Sequence, residues 1–150
     1  MPKFETIRRV PYSAEKMFAI VADVERYPEF LPLIERLTII SREEEGGIIC
    51  LQADMTVGYK AFQETFRSEV RIDEANKTIT SASKSGPFSK MENRWKFTPI
   101  EVSGKPAAAD VQFAIDYKFK SWTLEKLMGG MFDKAFRTYA DSFETRASVV

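Results

Sequence analysis

Hydrophobic and polar positions alternate strictly from Val111 to Phe119. Val111, Phe113, Ile115, Tyr117 and Phe119 share one face, which predicts a strand buried on one side. From Ser121 to about Arg146 the apolar period lengthens to helical spacing. Leu124, Leu127, Met128, Met131, Phe132, Ala135, Phe136, Tyr139 and Phe143 form a broad stripe. Gly129 and Gly130 interrupt the stripe, each costing about 1 kcal/mol relative to alanine in a helix. Such a pair points to a kink, a close backbone contact, or room left for another molecule. A long helix rich in Met and Phe, laid over a curved sheet, is either an ordinary core helix or the wall of an apolar cavity. Pattern alone leaves both readings open.

The rest of the chain repeats the strand period. Residues 3–10 predict a first strand ended by Pro11. Ser13 predicts the N-cap of a helix over 14–24, with Met17, Phe18, Ile20, Val21 and Val24 inward. Two prolines break the run Tyr27–Pro32, which has room for a short helical turn at most. Strands are expected over 35–42, 48–57, 62–72, 78–84 and 91–97. Turns are expected at Glu43–Gly47, Gly58–Ala61, Asp73–Lys77 and Ser85–Pro87, and a polar loop over Pro99–Ala109. Consecutive strands joined by short links form an antiparallel meander. The result is an α+β chain of one domain over residues 1–150, with six to seven strands whose concave face is covered by the early helices and the long last one.

Composition narrows the chemistry. The chain has no histidine, which removes His-based general bases, Ser-His-Asp and Cys-His systems and almost every ordinary zinc site. Cys50 is the single cysteine, so no internal disulfide forms and no metal site is expected. Lys plus Arg and Asp plus Glu both number 22, a balance that disfavours a dominant contact with nucleic acid. The N-terminus is polar and strand-like rather than a signal peptide, and no apolar run approaches the roughly 20 residues that span a bilayer. A cytoplasmic protein is expected, with peripheral contact at the inner face of the cytoplasmic membrane kept open.

Several segments carry a family resemblance: Ser13-Ala-Glu-Lys-Met-Phe18, Asp23-Val-Glu-Arg-Tyr27-Pro-Glu-Phe30-Leu-Pro32, Thr56-Val-Gly-Tyr-Lys60, Glu64-Thr-Phe-Arg-Ser68, Gly86-Pro-Phe88 and Trp95-Lys-Phe97. Together and in order they resemble the START-like (SRPBCC) helix-grip superfamily. Within it they are similar to the coenzyme Q-binding protein family, whose bacterial members carry the label RatA-type or oligoketide cyclase/lipid transport. The family usually places Trp directly after the second proline, where this chain has Leu33. The resemblance implies a curved antiparallel sheet gripping the C-terminal helix, and a hydrophobic cavity that holds ubiquinone or a related isoprenoid lipid without altering it. No catalytic residue and no cofactor are then expected.

A polyprenyl quinone offers much apolar surface and a small polar head, so its site should be apolar with a few polar groups. Candidate wall residues are Phe30, Leu31, Phe62, Phe66, Phe88, Met91, Trp95, Phe113, Met128, Met131, Phe132 and Phe136, with plain core packing as the alternative for each. Glu64 shares parity with Phe62 and Phe66, and Asn93 with Met91 and Trp95, so both should point inward. Each either bonds a ligand oxygen or pairs internally; for Glu64 an ion pair with Arg67, Arg94 or Arg8 is the preferred reading. Tyr27, Pro28 and Pro32 frame a stiff lid or mouth. The stretch Trp122–Met128, with Lys126, is a surface for transient membrane contact. Two other functions compete. A cyclase or dehydratase would need Glu64, Asp54, Tyr59 or Tyr117 as acid or base. A ribosome-directed inhibitor would need a basic face that the neutral balance disfavours.

Overall fold

A computed structural model describes residues 3–31, 33–59, 62–102 and 105–149; the side chains of residues 59, 62, 102, 105–107, 136 and 140 lie outside the description. Strand β1 (Lys3–Val10) leads into helix α1 (Ala14–Ala22) and a 3-10 helix (Val24–Glu29). The strands β2 (Ile34–Glu45), β3 (Ile48–Tyr59), β4 (Phe62–Asp73), β5 (Thr78–Ser83), β6 (Phe88–Val102) and β7 (Lys105–Phe119) follow, and helix α2 (Trp122–Ala147) ends the chain. The strands form one antiparallel sheet in the order β1-β7-β6-β5-β4-β3-β2, so only β1 leaves the meander, to pair with β7.

Sequence chemistry accounts for the joints. Ser13 Oγ accepts from Lys16 N at 3.1 Å and Ser121 Oγ accepts from Leu124 N at 3.2 Å, each satisfying an orphan donor at a helix start. α1 stops two residues before the expected end, and Val24 becomes the first residue of the 3-10 helix. The expected five-residue acidic turn is shorter: β2 runs through Glu45, and Gly46 and Gly47 (φ 59° and 81°) form the two-residue link that strand twist favours.

The polar loop expected over Pro99–Ala109 is instead the paired ends of β6 and β7, residues 103–104 lying outside the described residues. Two prolines fit there because these ends have one neighbour only. β6 pairs with β5 only as far as Lys96, and β7 pairs with β1 only from Ala109, so neither Pro99 nor Pro106 is asked for a second ladder bond. A register shift between Ile100 and Glu101 takes up the irregularity.

One face of the sheet is apolar. α1 packs on β5–β7, α2 packs on β7, β1 and α1, and the 3-10 helix packs on β2. The helices are therefore seated toward the β1–β7–β6 side. α2 is continuous through Gly129 and Gly130, so the pair does not break the helix. Nor does the backbone approach anything closely: a methyl at Gly130 would meet nothing within 4 Å, and one at Gly129 only ordinary contacts at 3.8 and 3.9 Å.

Candidate functional site: an apolar cavity between sheet and helix

Between the seated helices and the β2–β5 part of the sheet lies a cavity of about 80 Å³. Its floor is Ile34 and Leu37 of β2, Ala53, Met55 and Val57 of β3, Phe66, Ser68 and Val70 of β4, and Ile79 and Ser81 of β5. β6 and β7 add Phe88, Met91, Asn93, Trp95, Phe113 and Ile115. The roof is Phe132, Tyr139 and Phe143 of α2, with Val24, Tyr27 and Leu31 closing one side. Strand alternation explains the floor, since Phe66, Ser68 and Val70, or Ile79 and Ser81, are same-face neighbours two residues apart.

The aromatic wall is built by one turn. Gly86 has φ 63°, and a Cβ there would lie 2.6 Å from the Thr65 carbonyl oxygen, so the position needs glycine twice over. That turn delivers Phe88, which is fully buried, against Phe66, Phe119 and Phe132 with ring centroids 5.2–5.4 Å apart. At the other end Trp95 lies 4.5 Å from Phe113 and 5.0 Å from Phe143.

The Tyr27 segment is latched to α2. Phe143 takes Tyr27 at 5.4 Å and Phe30 at 5.2 Å between ring centroids, while Arg146 pairs with Glu29 at 2.9 Å and lies over the Phe30 ring. Tyr27 Oη donates to the Val21 carbonyl. Burial, with Asp23 nearby, pushes the Tyr27 phenol far above its ordinary value, and burial does the same to Tyr139. Leu33 leaves the segment at φ 72°, a left-handed conformation unusual for leucine, and its carbonyl accepts from Gly58 N at 2.9 Å.

Of the residues predicted from sequence, Tyr27, Leu31, Phe66, Phe88, Met91, Asn93, Trp95, Phe113 and Phe132 are brought together around this cavity. Four are not. Phe30 is turned onto Phe143 and Arg146. Met128 is buried in the core but is not among the lining residues, and Met131 packs half-buried against that core. Glu64 is half-buried opposite Val57, outside the lining, and makes none of the expected ion pairs: Arg67 bonds Asp54 and Arg8 pairs with Asp141 and Glu144. Pro28 lies within the 3-10 helix, Pro32 lies outside the described residues, and so do the side chains of Phe62 and Phe136. The β2–β3 floor, Ser68, Ser81, Tyr139 and Phe143 went unpredicted as site residues. Strand parity with Phe66 was the signal that would have found Ser68 and Val70.

The cavity's chemistry is neutral. Among the described residues, no Asp, Glu, Lys or Arg lines it. The acid–base candidates lie elsewhere: Asp54 is bonded by Arg67 Nε at 2.7 Å, which holds its carboxyl below the usual range. Burial, with Asp133 adding to it, pushes the Tyr117 phenol up to about 12. The side chain of Tyr59 lies outside the described residues. Among the polar lining groups, Asn93 Nδ2 donates to the Ala114 carbonyl at 3.0 Å and Ser81 Oγ donates to Asn93 Oδ1 at 3.3 Å. Ser68, 1% exposed, has no hydrogen-bond partner for its Oγ among the described residues.

Comparison with known proteins places this geometry. A family model described as polyketide cyclase / dehydrase and lipid transport matches residues 10–144. The ribosome association toxin RatA of Escherichia coli is 31% identical over 150 residues, covering 100% of this chain and 89% of the toxin. A mitochondrial coenzyme Q-binding protein (homolog B) of Xenopus laevis is 28% identical over 136 residues, covering 91% of this chain but 54% of that protein. The solution structure of an 18 kDa protein of Caulobacter crescentus superposes with a TM-score of 0.76 at 29% identity, covering 98% of this chain and 96% of that one.

Proposed function

The chain belongs to the polyketide cyclase / dehydrase and lipid transport family, and from that premise we propose that its cavity binds ubiquinone or a related isoprenoid lipid as a carrier, without chemical turnover. The observation that carries this reading is an apolar cavity between sheet and helix that no charged side chain lines among the described residues. An acyl or isoprenoid chain gains roughly 25 cal/mol per Å² removed from water in such a place. Cyclisation or dehydration would call for a titratable acid or base facing the substrate, and among the described lining residues the titratable groups are phenols pushed far up by burial. A cavity of about 80 Å³ is smaller than the roughly 150 Å³ that admits benzene in an engineered core. Loading therefore requires the Tyr27–Leu31 segment and α2 to part, and the exposed Arg146–Glu29 latch, of a kind worth about 0–1 kcal/mol, is a weak restraint on that motion.

No helix among the described residues is long and apolar enough to cross a membrane. Transfer of a lipid is served instead by surface contact at the start of α2. Trp122 is 72% exposed there with Lys126 over its ring, Leu127 is exposed, and the exposed Lys118 and Lys120 precede them in the chain.

The test uses Trp95, which lines the cavity, in a Trp122→Phe background that makes it the sole tryptophan. A short-chain benzoquinone should quench Trp95 saturably, and organic extraction of freshly purified protein should yield a lipid by mass spectrometry. Protein that yields no lipid and takes up no quinone ends the carrier reading.

A second reading rests on the full-length similarity to a ribosome association toxin. It is served by the same exposed lysines at the start of α2, against a net charge of zero. Co-sedimentation with ribosomal subunits that falls steeply with salt supports it; absence of co-sedimentation at low salt removes it.

A further inference from the structure

A buried hydroxyl without a partner forfeits its bond to water, so native structures rarely leave one. Ser68 is such a hydroxyl, and its place is specific. It sits mid-strand on β4, with its side chain on the cavity floor between Phe66 and Val70. The neighbouring inward polar groups are already engaged. Ser83 Oγ donates to the Arg67 carbonyl at 2.6 Å, Ser81 Oγ donates to Asn93 Oδ1, and Asn93 Nδ2 donates one of its two N–H groups to the Ala114 carbonyl. Ser68 is the one cavity-floor hydroxyl left over among the described residues.

Resting on the lipid-carrier reading above, we propose that Ser68 is the polar subsite of the cavity, donating its hydroxyl proton to a neutral carbonyl or ether oxygen on a ligand ring. Two further observations set the ligand class. With no Lys or Arg in the lining among the described residues, a carboxylate or phosphate carried this deep meets no counter-charge there, and an unpaired buried anion is strongly unfavourable. Fatty acids and phospholipid headgroups are therefore excluded from the floor, whereas an uncharged oxygenated ring is not. Ser81 lies opposite Val70 on β5, so Ser68 and the Ser81–Asn93 pair are diagonal neighbours on one face, about 7–8 Å apart by strand geometry. A single ring bearing oxygens on opposite edges bridges that spacing. Its first oxygen accepts from Ser68 Oγ, and its second accepts from the amide N–H of Asn93 that the Ala114 bond leaves over. The ring enters first, and the hydrocarbon tail is left toward the Tyr27–Leu31 side.

The experiment compares wild type with Ser68→Ala, both in the Trp122→Phe background, using three probes of matched tail: a decyl benzoquinone, decylbenzene and decanoate. Ser68→Ala is close to isosteric, and the melting temperature of each ligand-free protein is taken first. Support is a roughly threefold to tenfold weaker quinone in the variant, the worth of one neutral hydrogen bond, with decylbenzene changed less than twofold, decanoate the poorest ligand of wild type, and an unchanged or higher melting temperature. Equal losses for quinone and decylbenzene, or no loss for either, overturn the subsite while leaving the carrier reading in place. Tight decanoate binding overturns the neutral-ligand assignment. Failure of wild type to bind any of the three removes the carrier reading and the subsite with it.

Discussion

The sheet has two halves that share one face and do opposite things with it. Where α1 and α2 are seated, β6 and β7 carry Trp95, Phe97, Phe113, Tyr117 and Phe119, all buried and ring against ring. On the other half, away from the strands on which α2 is seated, β2–β5 carry Leu37, Ala53, Met55, Val57, Ser68, Val70 and Ser81, and Phe66 is the exception in size. The cavity follows from that contrast. It is made by short side chains on the far half of the floor, not by an excess of apolar surface on α2. Large rings hold the helix at a fixed height, and the small floor beneath its free side leaves space.

The largest effect that separates the halves is stability. Phe113 is buried and packs on Phe4 and Trp95, so Phe113→Ala should cost about 3–5 kcal/mol, with Met55→Ala on the half-exposed floor costing less than about 2 kcal/mol. Urea denaturation at equal m-values reads both. Equal losses would mean that the two halves are packed alike and that the cavity is not a stable feature of the floor.

Filling the floor inverts the pair. Ala53 is buried beside Met55 and opposite Ser68, with free space above it. Ala53→Phe should weaken binding of a short-chain quinone by more than about tenfold, or about 1.4 kcal/mol, while the melting temperature moves by only a few degrees. In a filled core the same change costs about 1–3 kcal/mol of stability by overpacking. A strong fall in melting temperature with binding intact would place the ligand elsewhere.

Glycine sharpens the comparison at smaller magnitude. Gly130→Ala in α2 adds a methyl to open space and should stabilise the helix by about 1 kcal/mol. Gly86→Ala forces both a left-handed backbone and a 2.6 Å contact, and should destabilise. Thermal melts of the two variants should move in opposite directions. If Gly130→Ala also slows quinone exchange, the glycine pair serves the opening of α2.

These contrasts also explain what the sequence could disclose. Strand alternation and the Ser13 and Ser121 caps are local properties of the chain, and the elements they predict are present. The early end of α1 and the paired ends of β6 and β7 depend on which neighbour each strand has, which the local pattern does not state. The aromatic wall was legible because large residues on an inward parity have few places to go. The floor was not, because Ala53, Ser68 and Ser81 are unremarkable until a helix is known to pass elsewhere. Met128 lies on the same stripe as Phe132 but is not among the residues that line the cavity, because a broad stripe does not say which of its positions face the open space. Glu64 has the right parity but stands near the start of β4 and is not among the lining residues.

The smallest expected effect is none at all, and it discriminates. Titratable lining groups are the phenols of Tyr27 and Tyr139, whose pKa values burial raises above the ordinary value of 10.0. A raised folded-state pKa contributes stability that is whole below about pH 10 and is lost as pH climbs toward the folded values. Asp54, Asp73 and Asp110 are held below their ordinary 3.8, chiefly by hydrogen bonds from Arg67, Asn76 and Arg9. Their contribution has the opposite sense: present above about pH 4, and lost as pH falls through the lower folded values. None of these groups changes charge between pH 5 and 9. Quinone affinity across that window should therefore vary by less than about twofold, read by Trp95 quenching. An affinity that instead rises toward acid would put a carboxylate in contact with the ligand. Glu64, on the inward parity of β4 two residues before Phe66, would be the group to change to glutamine first, and the neutral floor would cease to be the whole of the site.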